Sequence, residues 1–214
     1  ELLLDTPQFF TVFWNSCMQV FPIILGHVLL GAPAAWAFAK FHFRGKKILY
    51  TLYIVLMLMP FQVTMVSSYL VLNKLGLIDT VWAVILPGAA STLPVFIMTR
   101  FFMDIPEAVM EAAAVDGASS FQTFLRFGLP LGAPGILSAV VLGFLEYWNA
   151  IEAPQAFLKN QALWPLSLYM SNITADNAGV SLIASLITLM PPLLIFLSGQ
   201  KYLEQGIISS GMKD

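Results

Sequence analysis

The chain offers little that could make or break a covalent bond. Its two histidines, His27 and His42, have no set of metal-ligating side chains near them. His27 reads as a packed, hydrogen-bonded helix residue and His42 as an interfacial one. Cys17 is the single cysteine, which excludes an internal disulfide and a cysteine-built metal site. The serines have no His/Asp partners at a recognisable spacing, so hydrolase chemistry has no support. Gly45-Lys46 lacks the upstream glycine and the following hydroxyl of a phosphate-binding loop, so no nucleotide site is expected in this chain. What remains is recognition, and two stretches carry it. Glu146-Tyr147-Trp148-Asn149 sets an acid, two aromatic rings and an amide directly after a 19-residue charge-free run. An acid at membrane depth is costly and faces a cavity or a partner, but a Glu within an interfacial Trp/Tyr belt accounts for the same residues. The other stretch is Glu111, Ala112, Ala113 and Ala114 with Asp116, Gly117 and Ala118, where small residues let another protein's backbone come close.

The elements that must position this second stretch lie in residues 103–130, a polar segment holding four of the twelve acids between two hydrophobic runs. Its order predicts two short helices and a bend. Asp104 is placed to cap the first, with Glu107 three residues on as in a capping box. Ile105, Val109, Ala112 and Ala113 fall on one face at helical spacing. Asp116-Gly117 ends that helix, because Gly accepts a left-handed backbone at the position after the cap. Ser119 or Ser120 can cap a second helix, with Phe121, Phe124, Leu125 and Gly128 on one side. The result is a docking knob with Gly117 at its centre, where any side chain would oppose the bend. Glu111 and Asp116 could pair with basic residues of a partner, although solvation and capping also account for them.

Hydrophobic residues make up 58% of the chain and charged residues 10%, with a mean hydropathy of +0.81. Soluble domains carry about 25% charged residues, so the class is an all-α integral membrane protein. A net charge of −2 gives no basic field for nucleic acid. Charge-free runs cover residues 6–39, 48–73, 80–99, 127–145 and 177–200, each able to supply the roughly 20 apolar residues of a crossing. Five transmembrane helices are expected, in one membrane domain over 1–214 with the 103–130 loop inside it. Prolines 22, 33, 60, 87, 94, 134, 191 and 192 fall within these runs, where membrane helices tolerate them if neighbours satisfy the freed carbonyls. Connections 40–47 and 100–126 and the tail 201–214 lie on one side of this topology and hold eight of the ten Lys and Arg residues. The positive-inside rule makes that side cytoplasmic and puts Glu1 outside.

Glu111-Ala112-Ala113, three residues, Gly117, nine residues, then Phe127-Gly128-Leu129-Pro130 resembles the EAA signature of membrane subunits of ABC importers, with Phe127 standing where the family has Ile. The likeness continues in Asn15-Ser16, in Ala37-Phe38-Ala39-Lys40, in Phe43-Arg44-Gly45-Lys46 and in Leu75-Gly76-Leu77-Ile78-Asp79-Thr80. It includes Arg100-Phe101-Phe102, Trp148-Asn149, Lys201-Tyr202, Gly206 and Gly211-Met212-Lys213. Their order is similar to the carbohydrate-uptake branch, and in particular to the second permease of maltose-type transporters. Family members often have an acid directly after Trp-Asn, whereas here Ala150 follows.

The resemblance implies a permease subunit in a bacterial or archaeal cytoplasmic (inner) membrane, forming half of an alternating-access path for a sugar or oligosaccharide. A preceding sixth helix, absent from this sequence, is also implied. Residues 103–130 would hold a cytoplasmic coupling helix seated in a cleft of an ATPase, using Glu111 to Ala114 and Asp116 to Ala118. The tail 204–214 reads as polar and flexible, and the resemblance implies that it reaches towards the ATPases. Glu146 and Asn149 could bond sugar hydroxyls while Tyr147 or Trp148 stacks on a sugar face. The partners implied are a homologous second permease, a dimer of ATP-binding subunits that holds ATP and Mg, and an extracytoplasmic solute-binding protein. The chain itself would be no enzyme and hold no cofactor or metal. Two alternatives stay open: an ABC permease for a non-sugar solute such as a phosphorylated polyol, and a secondary transporter driven by an ion gradient.

Overall fold

The structure is a computed structural model and describes residues 7–171 and 178–211. All its regular elements are helices, with no strand among the described residues. They begin with α1 (Pro7–Gly26), a π-helical turn (His27–Gly31) and α2 (Ala32–Lys40). Then come α3 (Lys46–Leu58), α4 (Phe61–Lys74), α5 (Trp82–Ala89) and α6 (Thr92–Met103). The expected knob holds α7 (Glu107–Val115), α8 (Ser120–Thr123), a second π-helical turn (Phe124–Gly128) and α9 (Leu129–Leu131). The rest is α10 (Ala133–Trp148), α11 (Glu152–Phe157), a 3-10 turn (Gln161–Leu163), α12 (Leu166–Ser171) and α13 (Ala178–Gly211).

Among the described residues, three helical runs are long and apolar enough to cross a membrane: Phe9–Lys40, Trp82–Met103 and Ala184–Glu204. The other two expected crossings are broken. One is the pair α3 and α4; the other is Ser120–Leu131 with α10, bent by 69°. Counting each broken pair as one crossing gives five. Pro60 explains the first break, because it lacks an N–H and sits at φ −64°, ψ 145° as the residue that opens α4. Gly132 marks the second. A Cβ there would stand 2.1 Å from the Phe102 ring, so only glycine permits that approach. Pro33 takes the N–H from the carbonyl four residues before it, and the π-helical turn at His27–Gly31 lies just upstream.

The chain forms two compact units. The first comprises Glu1–Leu25, Met59–Ala89 and Gly143–Leu197. Its core joins Phe9, Val12, Val20, Phe144, Trp148, Leu166 and Ala184. Side chains of α1 fasten the connection that follows α11. Asn15 Nδ2 donates to the carbonyls of Ala162 at 2.7 Å and Trp164 at 3.0 Å, and Gln19 Nε2 to that of Leu163 at 2.9 Å. Ser16 Oγ accepts from the Leu166 N–H at 2.8 Å. Asp79, at φ 63°, accepts from the N–H groups of Lys159 at 2.9 Å and Asn160 at 2.8 Å. Asn15-Ser16 and the 75–80 turn, noted in the sequence as short motifs, thus act as backbone clamps.

The second unit comprises Gly26–Leu58, Ala90–Leu142 and Ser198–Asp214. Trp36 is its centre, edge-on to Phe102 at 5.2 Å and tilted against Phe124 at 5.6 Å. Gly128 passes so close to Trp36 that an added Cβ would meet its ring at 2.9 Å.

Candidate functional site

The knob forms, with one change at its start. Asp104 ends α6 rather than capping the next helix. Pro106 (φ −59°, ψ 142°) opens α7, without a side-chain cap. Its missing N–H and fixed φ suit the edge of a helix, so Glu107 becomes the first helical residue instead of the far end of a capping box. The end of α7 follows the sequence. Gly117 has φ +76°, its N–H donates to Ala114 O at 3.0 Å, and the Ala118 N–H donates to Ala113 O at 2.9 Å. That pair of bonds is a Schellman stop. Ser119, not Ser120, caps α8 in a reciprocal capping box with Gln122.

Burial divides the knob into an anchor and a free face. Ile105 and Phe124 are buried in the Trp36 core, with Val109 and Met110 packed against it. Ala113 is also turned inward, 2% exposed, so it does not share the outer surface expected for the docking residues. Glu111, Ala112, Ala114, Asp116 and Gly117 are exposed and Ala118 is half-buried. Val115 is 88% and Phe121 68% exposed, and Leu125 is exposed too. The four residues expected on one side therefore divide, with Phe124 and Gly128 buried and Phe121 and Leu125 exposed. A π-helical turn follows α8 at Phe124–Gly128. The outer surface thus presents acids, small residues and apolar side chains side by side, a surface fit for docking protein rather than for catalysis.

Lys40, the last residue of α2, is a site residue the sequence did not single out. Its ammonium donates to the Ile105 carbonyl directly before Pro106, and the Glu107 and Asp104 carboxylates attract it while Lys46 repels it. It ties the end of one crossing to the start of α7.

The Glu146–Asn149 stretch closes α10, and its four side chains go different ways. Glu146 is exposed. Tyr147 is half-buried beside Gly88, where an added Cβ would stand 3.0 Å from its ring. Trp148 is 2% exposed, stacked on Phe144 at 5.3 Å and edge-on to Phe13 at 5.8 Å. Its ring is packed on the chain's own residues, so it offers no face to a sugar. Asn149 is exposed, donates Nδ2 to Leu145 O at 2.7 Å, and lines a pocket of about 430 Å³ with Met170, Ser185, Thr188, Leu193 and Phe196. Ser185 and Thr188 escaped the sequence reading because they lie in a charge-free run with no local motif around them. No cluster that could hold a metal ion occurs among the described residues.

Residues 27–209 match the family described as binding-protein-dependent transport system inner membrane component. The arabinooligosaccharides transport system permease protein AraQ of Halalkalibacterium halodurans is 26% identical over 99% of this chain and 77% of its own. Protein LplC of Bacillus subtilis is 31% identical over 100% and 77%. The diacetylchitobiose uptake system permease protein NgcG of Streptomyces coelicolor is 30% identical over 93% and 68%. Among solved structures, a bacterial ABC transporter involved in the import of the acidic polysaccharide alginate superposes with a TM-score of 0.81. It is 21% identical and covers 94% of this chain and 77% of the other. That likeness speaks for the fold. With the family matched over most of its length, the chain belongs to the binding-protein-dependent inner-membrane components of transport systems, the permease subunits of ABC transporters.

Proposed function

We propose that this chain is one of two permeases in an ATP-driven importer of a neutral sugar or oligosaccharide. The observation that carries the reading is the family match across residues 27–209, and the named relatives handling arabinooligosaccharides and diacetylchitobiose support the solute class. Within the reading, the α7–α8 knob docks on an ATPase subunit, and ATP with Mg is bound and hydrolysed there. Closure of the ATPases moves the knob, and the crossings rock the path from one side to the other. The excess of basic residues on the knob's side supports a cytoplasmic knob and C-terminus with Glu1 outside. A homologous permease supplies the other half of the path, and an extracytoplasmic binding protein delivers the solute.

The pocket supports a neutral, hydroxyl-rich solute. Asn149 spends an amide N–H on Leu145 O, and Thr188 spends its hydroxyl proton on Ala184 O. What these two residues retain for a ligand is chiefly acceptor oxygen, suited to sugar hydroxyl donors. Met170, Leu193 and Phe196 line the pocket with apolar surface for the C–H face of a ring, and no Lys, Arg or His joins them among the described residues. A phosphorylated polyol or an acidic oligosaccharide would demand such a cation. Of the four residues flagged by the sequence, Asn149 is therefore assigned to solute contact.

Uptake of a labelled neutral oligosaccharide into proteoliposomes, reconstituted with the sister permease, the ATPases and the binding protein, tests this reading. Uptake should require internal-face ATP and survive collapse of every ion gradient. Uptake that follows a proton or sodium gradient without ATP would establish the secondary-transporter alternative instead.

A further inference from the structure

Helix α13 contains Pro191-Pro192. A proline has no N–H, so the carbonyl four residues earlier loses its helical donor. For Pro191 that carbonyl belongs to Ile187, and for Pro192 it belongs to Thr188. A buried carbonyl left unpaired is costly, and membrane helices tolerate proline only where a neighbour supplies the missing bond. At Thr188 the neighbour is visible. Trp148 Nε1 donates to Thr188 O at 3.1 Å, an indole N–H standing where the helix's own N–H would have been. Trp148 has no other means of directing that donor, because its ring is fixed between Phe144 and Phe13. The same turn of α13 faces the pocket, which is lined by Thr188, Leu189 and Pro192 from α13, by Leu145 from α10 and by Asn149 just beyond its end.

We propose that Trp148 is a positioning residue for translocation, a releasable latch on the proline-weakened point of α13. When the indole N–H holds the Thr188 carbonyl, α13 lies against the end of α10 and the pocket is formed. When the bond is broken, the helix is free to bend at a point that lacks its own backbone bonds, and the pocket loses its α13 wall. An ordinary helical bond at this place could not be exchanged without unwinding a turn, whereas a side-chain donor can be released alone. This rests on the permease reading, and it turns the Trp-Asn pair into two roles: Trp148 sets the wall, Asn149 meets the solute.

The test uses the assembled importer in proteoliposomes and three substitutions. Trp148→Phe keeps an aromatic ring in the core, removes the donor and vacates part of the indole volume. Pro192→Ala restores a backbone N–H to the Thr188 carbonyl, whereas Pro191→Ala restores one to Ile187. Trp148→Phe should lower the melting temperature of the complex, through the lost hydrogen bond and the vacated volume, and reduce uptake. Adding Pro192→Ala should recover the hydrogen-bond part of that loss and leave uptake low, because a permanent helical bond cannot be released; adding Pro191→Ala should recover neither. The latch is overturned if Trp148→Phe behaves as wild type, if both proline substitutions rescue it alike, or if Pro192→Ala restores uptake together with stability. Melting is read without any transport, so loss of uptake in the unsubstituted complex would count against the permease reading and leave the melting pattern to judge the bond.

Discussion

Gly117 holds φ +76°, and nothing lies within 4 Å of where its Cβ would stand. The demand for glycine there comes from backbone conformation and not from crowding, and a left-handed L-residue costs about 1–2 kcal/mol. Gly117→Asp adds a charged side chain to the exposed bend of the knob as well. We expect uptake to fall at least about tenfold while the amount of protein inserted in the membrane stays nearly unchanged and its melting temperature falls by only a few degrees; normal uptake would remove the docking role of the bend. This residue was legible in the sequence because Asp-Gly after a helical period has one common meaning. Asp104 was not, since two residues with helix-boundary character, Asp104 and Pro106, compete for one boundary. The proline wins because its missing N–H is harmless only at a helix start. Trp148 was misread for a related reason: composition shows an aromatic next to an amide, but only packing shows that its N–H serves the carbonyl freed by Pro192.

Elements tell a similar story. Hydrophobic run lengths coincide with the three long apolar helices and the two bent pairs among the described residues, yet runs do not report bends, and the breaks at Pro60 and Gly132 belong to local backbone chemistry. Helical periodicity also failed across α8 and the π-helical turn that follows it, where Phe121 and Leu125 are exposed and Phe124 and Gly128 are buried. The polar tail expected over 204–214 continues α13 as helix to Gly211, and residues 212–214 lie outside the described residues. At this scale the Lys40 contact to the Ile105 carbonyl is the testable joint between a crossing and α7. Lys40→Met removes a charged donor of a kind worth about 1.5–3 kcal/mol. Backbone amides of Val109 to Val115 should then exchange with deuterium about tenfold faster, and solute delivered per ATP hydrolysed should fall, with Lys40→Arg close to wild type. Unchanged exchange in α7 would mean that the contact does not hold the helix.

For the whole molecule, few charges, long apolar runs and one polar segment with an EAA-like spacing were enough to identify the family, and the match over residues 27–209 agrees. The solute was less legible, since its pocket gathers Asn149, beyond the end of α10, Met170 of α12 and Ser185, Thr188 and Phe196 of α13, and the α13 residues lie in a run whose composition suits lipid as well as a sugar. The central claim is that the knob transmits the work of a partner ATPase. Ala114 is exposed on its outer face, so Ala114→Cys, in a chain whose Cys17 is replaced by Ser, places one crosslinkable thiol there. Crosslinking in membranes to the candidate ATPase subunits, with and without ATP, should give a specific product whose yield changes with nucleotide. No product with any ATPase, from a chain that is folded and inserted, would contradict the claim.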